Sequence, residues 1–338
     1  MILTLTFIIA LALVFEYING FHDSANAIAT VVSTNVLTPR QAVIMSACLN
    51  FCGAMLGTQV AKTIGAGIVS GASVTAGVVV FALLSAVIWD LFTWYFALPS
   101  SSSHALIGGL VGAAGVASGL SCVNFRALFY KVIIPMFVSP VLGFLCAFAV
   151  MIGILWLFRN KSPSYVNRNS RHMQLFSSAL VSIAHGTNDA QKTMGIITIA
   201  LISGGVLSGS AVSDFHVPVV VVIICALTMA AGTLSGGWRI IKTLGSKMIK
   251  IKPVHGFAAE ATSAALIMSA SHFGIPLSTT HVISSAIYGA GSASKKASAN
   301  TSLVKNIIFA WVMTIPVCAA LSAVLSIGFR MLQLGVMK

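Results

Sequence analysis

Apolar runs of roughly 20 residues or more recur from one end of the chain to the other, and only 7% of its 338 residues are charged. A water-soluble globule of this size carries about a quarter of its residues as charges, whereas a helix of about 20 apolar residues spans a bilayer. The chain is therefore expected to be an all-α polytopic membrane protein. The first run begins at Ile2 with no basic segment before it and no small-residue cleavage site after a short core, which reads as a retained helix. The formal net charge of +13 lies in loops between the apolar spans, where it sets topology; no nucleic acid partner is expected. Cys48, Cys52, Cys122, Cys146, Cys225 and Cys318 show no zinc or redox spacing and read as small hydrophobes.

The chain repeats itself. "GFHDSAN" (20–26) matches "GTNDAQK" (186–192), aligning Asp23 with Asp189 and Asn26 with Lys192. "VAKTIG" (60–65) matches "IIKTLG" (240–245), "LPSSSSHALIGGLVGAAG" (98–115) matches "IPLSTTHVISSAIYGAG" (275–291), and "VSPV" (138–141) matches "TIPV" (314–317). The offsets are 166, 180, 177 and 176 residues, in preserved order. This predicts a first repeat over 1–158, a basic linker over 159–172 and a second repeat over 173–338. Each repeat is expected to run helix, helix, re-entrant hairpin, helix, with hairpin tips at 99–104 and 276–281. Three crossings per repeat make the second inverted relative to the first. With the linker in the cytoplasm, thirteen lysines and arginines fall inside, five (Lys62, Arg126, Lys131, Arg330 and Lys338) outside, and Lys192 within the membrane. That excess follows the positive-inside rule and puts both termini outside a cell (inner) membrane. Inverted repeats with interrupted helices, meeting near the bilayer midplane, characterise secondary transporters.

The acidic residues are Glu16, Asp23, Asp90, Asp189, Asp214 and Glu260. Asp214 is placed in an outside loop and Glu16 near Asp23 on the first helix. Each of the other four costs about 3 kcal/mol at a helix centre, so it should face a cavity, a partner or an ion. Asp23 with Asn26, and Asn188 with Asp189, offer oxygen ligands for a hard cation or a proton. The bland alternative is a buried tie, such as an Asp189–Lys192 pair at i, i+3. Asp90 and Glu260 occupy roughly corresponding hairpin positions if seven residues are inserted, and are candidates for the same coupling role.

The hairpin tips carry the sharper signal. Proline followed by hydroxyl residues marks a broken helix whose second arm starts with capping residues, and such a start presents free N–H groups to an oxyanion. Ser101, Ser102 and Ser103 from one tip and Ser278, Thr279 and Thr280 from the other are expected to enclose a tetrahedral anion; hydroxyls that merely glue packed helices are the alternative. His104 and His281 close the tips, read as satisfied structural histidines that hydrogen-bond the tip, with proton handling as the alternative. The glycines in 108–119 and 289–294 are expected to let hairpin arms pack closely.

At these residues the chain resembles the inorganic phosphate transporter family, in "GFHDSANA" (20–27), "GTNDAQKT" (186–193), "PSSSSH" (99–104) and "PLSTTH" (276–281). The similarity runs over essentially the whole chain. It implies a two-repeat helical symporter of orthophosphate with cations, the phosphate at the hairpin tips and the cation at the Asp/Asn elements. It implies no enzyme activity and no cofactor. The expected partners are inorganic phosphate, a coupling cation and the lipid bilayer, with a homodimer among the assemblies open to it. Relatives regarded as sodium-coupled often carry a glutamate in the second helix where this chain has Asn50, within "LNFCG" (49–53). Coupling to protons, or carriage of a metal–phosphate complex, is therefore favoured over sodium. His22 stands where many relatives have asparagine. Sulfate is the runner-up substrate; an anion channel and an intramembrane enzyme acting on a lipid phosphate are more distant alternatives.

Overall fold

The computed structural model describes residues 2–69, 73–207, 215–294 and 300–336. Asp214, Lys295, Lys296 and Lys338 lie outside the described residues. Apart from one bridge between Val69 and Val123, the described residues are helical or irregular. The first half comprises α1 (Ile2–Ser33), α2 (Pro39–Ala54), α3 (Gln59–Ala66), α4 (Ala76–Tyr95), α5 (Ser102–Ser118), α6 (Phe125–Leu128) and α7 (Ile134–Leu157). The second comprises α8 (Pro163–Ser203), α9 (Val219–Ser235), α10 (Trp238–Lys242), α11 (Pro253–His272), α12 (Thr279–Ser292) and α13 (Thr301–Val336). Among the described residues, four helices are long and apolar enough to cross a membrane: Ile2–Ser33, Ala76–Tyr95, Phe125–Leu157 and Thr301–Leu332. The chain is a multi-pass membrane protein.

The second span of each half departs from the expected single helix. Pro39–Ala54 and Gln59–Gly65 meet at 74°, and Val219–Ser235 and Trp238–Lys247 at 59°. Gly236, at φ +68°, supplies the left-handed turn at the second break. Backbone N–H groups released at a break inside a membrane need partners. In both halves a side chain of the helix that carries the motif aspartate provides one: Ser24 Oγ accepts from Gly237 N at 2.7 Å, and Gln191 Oε1 accepts from Val60 N at 2.7 Å.

The polar stretch 159–172 is mostly helical. Ser162 caps the start of α8 by accepting from Tyr165 N, and Pro163 occupies the first turn, so Arg168 and Arg171 of the linker lie on the 41-residue α8. Arg171 Nη2 donates to the Asn35 carbonyl at 2.7 Å, tying this extension to the end of α1.

The motif glycines are explained by helix crossing. A methyl group on Gly186 would stand 2.2 Å from the Asn50 carbonyl oxygen, and one on Gly20 would stand 2.5 Å from the Met229 carbonyl oxygen. Thus α8 crosses α2, and α1 crosses α9, at backbone contact one turn before each aspartate. Gly186→Val is expected to cost about 1–3 kcal/mol through overpacking and to lower the yield of monodisperse protein in detergent. Gly153→Val, at a site with nothing within 4 Å, should leave the size-exclusion profile unchanged.

The hairpins α4/α5 and α11/α12 are held by the opposite half. α5 packs on α13 and α12 on α7. The glycine-rich stretch on α5 allows this, since a methyl on Gly112 would come 2.0 Å from the Ala319 carbonyl oxygen. The tips turn at Ala97 (φ +56°) and Gly274 (φ +64°), matched at offset 177. Each turn is pinned by a threonine from the other half's broken span: Thr243 Oγ1 donates to the Ala97 carbonyl at 2.9 Å and Thr63 Oγ1 to the Gly274 carbonyl at 2.7 Å.

Candidate functional site

The site forms where α1 and α8 run past the two hairpin tips. Ser101 and Ser278 are the N-caps of α5 and α12; their Oγ atoms accept from His104 N at 3.3 Å and His281 N at 3.2 Å. The remaining helix-start donors are the N–H groups of Ser102, Ser103, Thr279 and Thr280, which have no intrahelical acceptor to reach. All six hydroxyl residues are buried. The rings of His104 and His281 lie 5.0 Å apart, so the two tips meet. Trp311 of α13 bridges them, stacking on His281 at 4.2 Å and donating from Nε1 to the Pro99 carbonyl at 2.9 Å.

The second tip reaches both motif helices. Thr280 Oγ1 donates to Asp23 Oδ1 at 3.4 Å, and Thr279 Oγ1 donates to Asp189 Oδ2 at 3.0 Å. Asn26 Nδ2 donates to Thr280 Oγ1 at 2.9 Å and to Thr279 Oγ1 at 3.3 Å. Asn188 holds the arm leading to the same tip: with its amide oriented to accept from Ser271 Oγ at 2.9 Å, its nitrogen donates to the Leu277 carbonyl at 2.9 Å. Asn26 and Asn188 therefore grip the hairpin.

Ligand atoms of Asp23, His185 and Asp189 lie within 4.8 Å of one another, all buried, a set able to hold a hard cation. His22 Nδ1 pairs with Asp23 Oδ1 at 2.7 Å, while its Nε2 meets Thr93 Oγ1 at 3.1 Å. Thr93 continues to Ser100 at 2.8 Å, linking Asp23 to the first tip. Lys192 Nζ donates to Asp189 Oδ1 at 2.5 Å, and His185 Nε2 lies 3.2 Å from Asp189 Oδ2. Asn50 connects behind this group: its Oδ1 pairs with His185 Nδ1 at 3.2 Å and its Nδ2 donates to Thr233 Oγ1 at 2.9 Å.

Asp90 and Glu260 do not correspond. α4 and α11 are both 20 residues long and align at offset 177, which puts Glu260 opposite Leu83 and Asp90 opposite Ile267, about two turns apart. Glu260 is saturated by Thr30 Oγ1 at 2.5 Å, Gln174 Nε2 at 3.0 Å and Ser177 Oγ at 2.5 Å, near the linker end of α8. Asp90 is fully buried, and among the described residues neither of its carboxyl oxygens has a hydrogen-bond partner.

The tip histidines also differ from expectation. Among the described residues, neither ring nitrogen of His281 nor Nδ1 of His104 has a hydrogen-bond partner. Aromatic stacking, rather than a polar bond to the tip, fixes the His281 ring.

Several site residues escaped the sequence reading. Glu16, fully buried, accepts from Thr193 Oγ1 across to α8. Asn19 and His185 occupy the same repeat position, one turn before each aspartate, and both are buried. A search at offset 166 for polar residues one turn upstream would have found that pair.

The chain is similar to known proteins in both sequence and fold. Residues 19–322 match the phosphate transporter family. The chain is 45% identical over 326 residues to a probable low-affinity inorganic phosphate transporter of Bacillus subtilis (strain 168), covering 96% of each chain. It is 46% identical over 317 residues to one of the same description from Rhizobium meliloti (strain 1021), covering 94% of this chain and 93% of that one. A solved structure entitled "The sodium-dependent phosphate transporter" superposes with a TM-score of 0.85 at 25% identity, covering 97% of this chain and 99% of that chain. This helical membrane chain is thus a transporter and not an enzyme, and it belongs to the phosphate transporter family.

Proposed function

We propose that this protein imports inorganic phosphate across the cell membrane by cation symport, with the proton, or a metal carried as its phosphate complex, favoured over sodium. The observation that carries the reading is the convergence of one hairpin tip on both aspartates, Thr280 on Asp23 and Thr279 on Asp189. Phosphate is held between the helix starts of α5 and α12. Their N–H groups and the hydroxyls of Ser101, Ser102, Ser103, Ser278, Thr279 and Thr280 supply donors, as an oxyanion requires. A phosphate that retains a proton also needs an acceptor, and Asp23 beside Thr280 provides it, which favours phosphate over fully deprotonated sulfate. Asp23, Asn26, Asn188, Asp189, Asn50, Asp90 and Glu260 serve the coupling, supported by His104, His281 and Lys192. A neutral amide at Asn50, engaged with His185 and Thr233, provides no carboxylate ligand for sodium from α2.

In this reading 1–158 and 173–338 are inverted repeats that rock around the fixed site. Both termini face outside, the linker 159–172 is cytoplasmic, and a homodimer is the assembly to test. The contacts of Thr63 and Thr243 on the opposite tips support the repeat relation, because the same threonine-to-turn bond is built once in each direction.

The test is uptake of radiolabelled phosphate into proteoliposomes under an imposed proton gradient and, separately, an imposed sodium gradient, with excess sulfate as competitor. Concentrative uptake under the proton gradient, little affected by sulfate, is expected. Adding a divalent cation should identify carriage as a metal complex by raising metal and phosphate uptake together. Strong competition by sulfate would transfer the assignment to a sulfate permease, and mere equilibration under both gradients to a channel.

A further inference from the structure

The two motif helices differ at one position that bears directly on the site. Where α1 carries Asn26, α8 carries Lys192. Lys192 is only 1% exposed, among the largest fully buried side chains of the protein. Its Nζ donates to Asp189 Oδ1 at 2.5 Å, while Asp189 Oδ2 accepts from Thr279 at the hairpin tip. The ammonium is therefore one carboxylate away from the hydroxyls proposed to hold phosphate. At the matched place Asn26 gives the tip an amide and no charge. Among the described residues, the ion-pair partner of Asp23 is His22, with no lysine or arginine within reach.

A buried carboxylate is costly without a counter-charge, and removing the partner of such a pair leaves an uncompensated charge. An anion entering beside two carboxylates makes that demand greater, so each aspartate needs a positive charge when phosphate is bound. Lys192 meets it at Asp189 with a charge that never leaves; Asp23 has no such residue. An i, i+3 salt bridge serving only to stabilise a helix gains nothing from burial, because such pairs contribute a few tenths of a kcal/mol on exposed surfaces.

We infer that the Lys192 ammonium is a tethered cation that stands in for one coupling cation at Asp189, leaving Asp23 as the one motif aspartate that takes its cation from solution. Lys192 is thus a residue determining the cation stoichiometry and selectivity of the transporter. The inference rests on the symport reading above and sharpens it: the chain moves one cation fewer per phosphate than a version with a neutral residue at this place.

Lys192→Asn copies onto α8 the residue that α1 carries at Asn26, and it tests this directly. Wild-type and variant protein are reconstituted in proteoliposomes at one fixed pH, and uptake is measured in sodium, lithium, potassium and choline media. Charge moved per phosphate is read in parallel by solid-supported-membrane electrophysiology. The wild type should be indifferent to which alkali cation is present. The variant should lose at least tenfold in choline, recover with at least one alkali cation, and move one more positive charge per phosphate. A monodisperse variant that shows the wild-type cation requirement, or that recovers in none of these media, overturns the inference. If Lys192→Asn is not monodisperse, Lys192→Ala is tested with ethylammonium, a small free alkylammonium that fits within the space of the missing group. Recovery of uptake by ethylammonium but not by choline supports the tethered charge, and no recovery overturns it. Wild-type symport with an unresponsive variant sinks this inference alone, whereas wild-type transport without any coupled cation sinks the symport reading along with it.

Discussion

Asp23→Asn is expected to abolish concentrative phosphate uptake, by at least about 100-fold or about 2.7 kcal/mol, while the protein still inserts and folds. The substitution keeps the shape of a side chain that is 3% exposed and removes only its charge. An amide at this place still offers an oxygen to Thr280 and to His22, so the local hydrogen bonds to Asp23 have a successor. It also removes the cost of a carboxylate at a helix centre, about 3 kcal/mol on insertion scales, so the thermal midpoint in detergent should hold or rise. Asp189→Asn should behave differently. It leaves Lys192 buried without its carboxylate, and breaking a buried pair costs about 3–5 kcal/mol, so folded yield should fall along with uptake. Comparing uptake with thermal melting for the two variants separates loss of coupling from loss of fold. Normal uptake by Asp23→Asn would remove Asp23 from the mechanism.

The second large effect is expected for the double variant Thr279→Val and Thr280→Val. The two hydroxyls donate to Asp189 and Asp23 and accept from Asn26, so they link one tip to both motif helices. Valine preserves branching and nearly all of the volume while deleting every one of these bonds. A hydrogen bond to a charged group contributes about 1.5–3 kcal/mol. Losing both loosens the tip that frames the phosphate and should raise the phosphate KM by at least about 100-fold. Thr279→Ser with Thr280→Ser retains the hydroxyls and should remain within about tenfold of the wild type. Phosphate uptake across a concentration series distinguishes these outcomes.

What could be read from the sequence was whatever recurs as residue identity at a fixed offset. Asp23 with Asp189, the two tips, and the threonines at 63 and 243 all lie in matched strings, because the same local structure is built twice. Crossings between elements leave no such string. Ser24 and Gln191 cap broken spans that are far away in the chain, and nothing near either residue announces it. Asp90 and Glu260 illustrate the opposite error. They share a charge and a hairpin arm, but two arms of equal length set them about two turns apart, so like chemistry at unlike positions was paired. The helical nature of 163–172 was legible in Ser162-Pro163, a cap followed by a first-turn proline, but the polarity of the stretch favoured a linker. His104 and His281 were expected to be satisfied because buried polar groups usually are. The tips instead press the two rings together, and His281 stacks on Trp311.

The position of phosphate is tested most directly by determining the structure of the protein with phosphate bound, and with arsenate as a heavier substitute. Tetrahedral density within about 3 Å of the N–H groups of Ser102, Ser103, Thr279 and Thr280, flanked by Asp23 and Asp189, is the result expected. Density bound away from both tips, in a protein that transports phosphate, would contradict it.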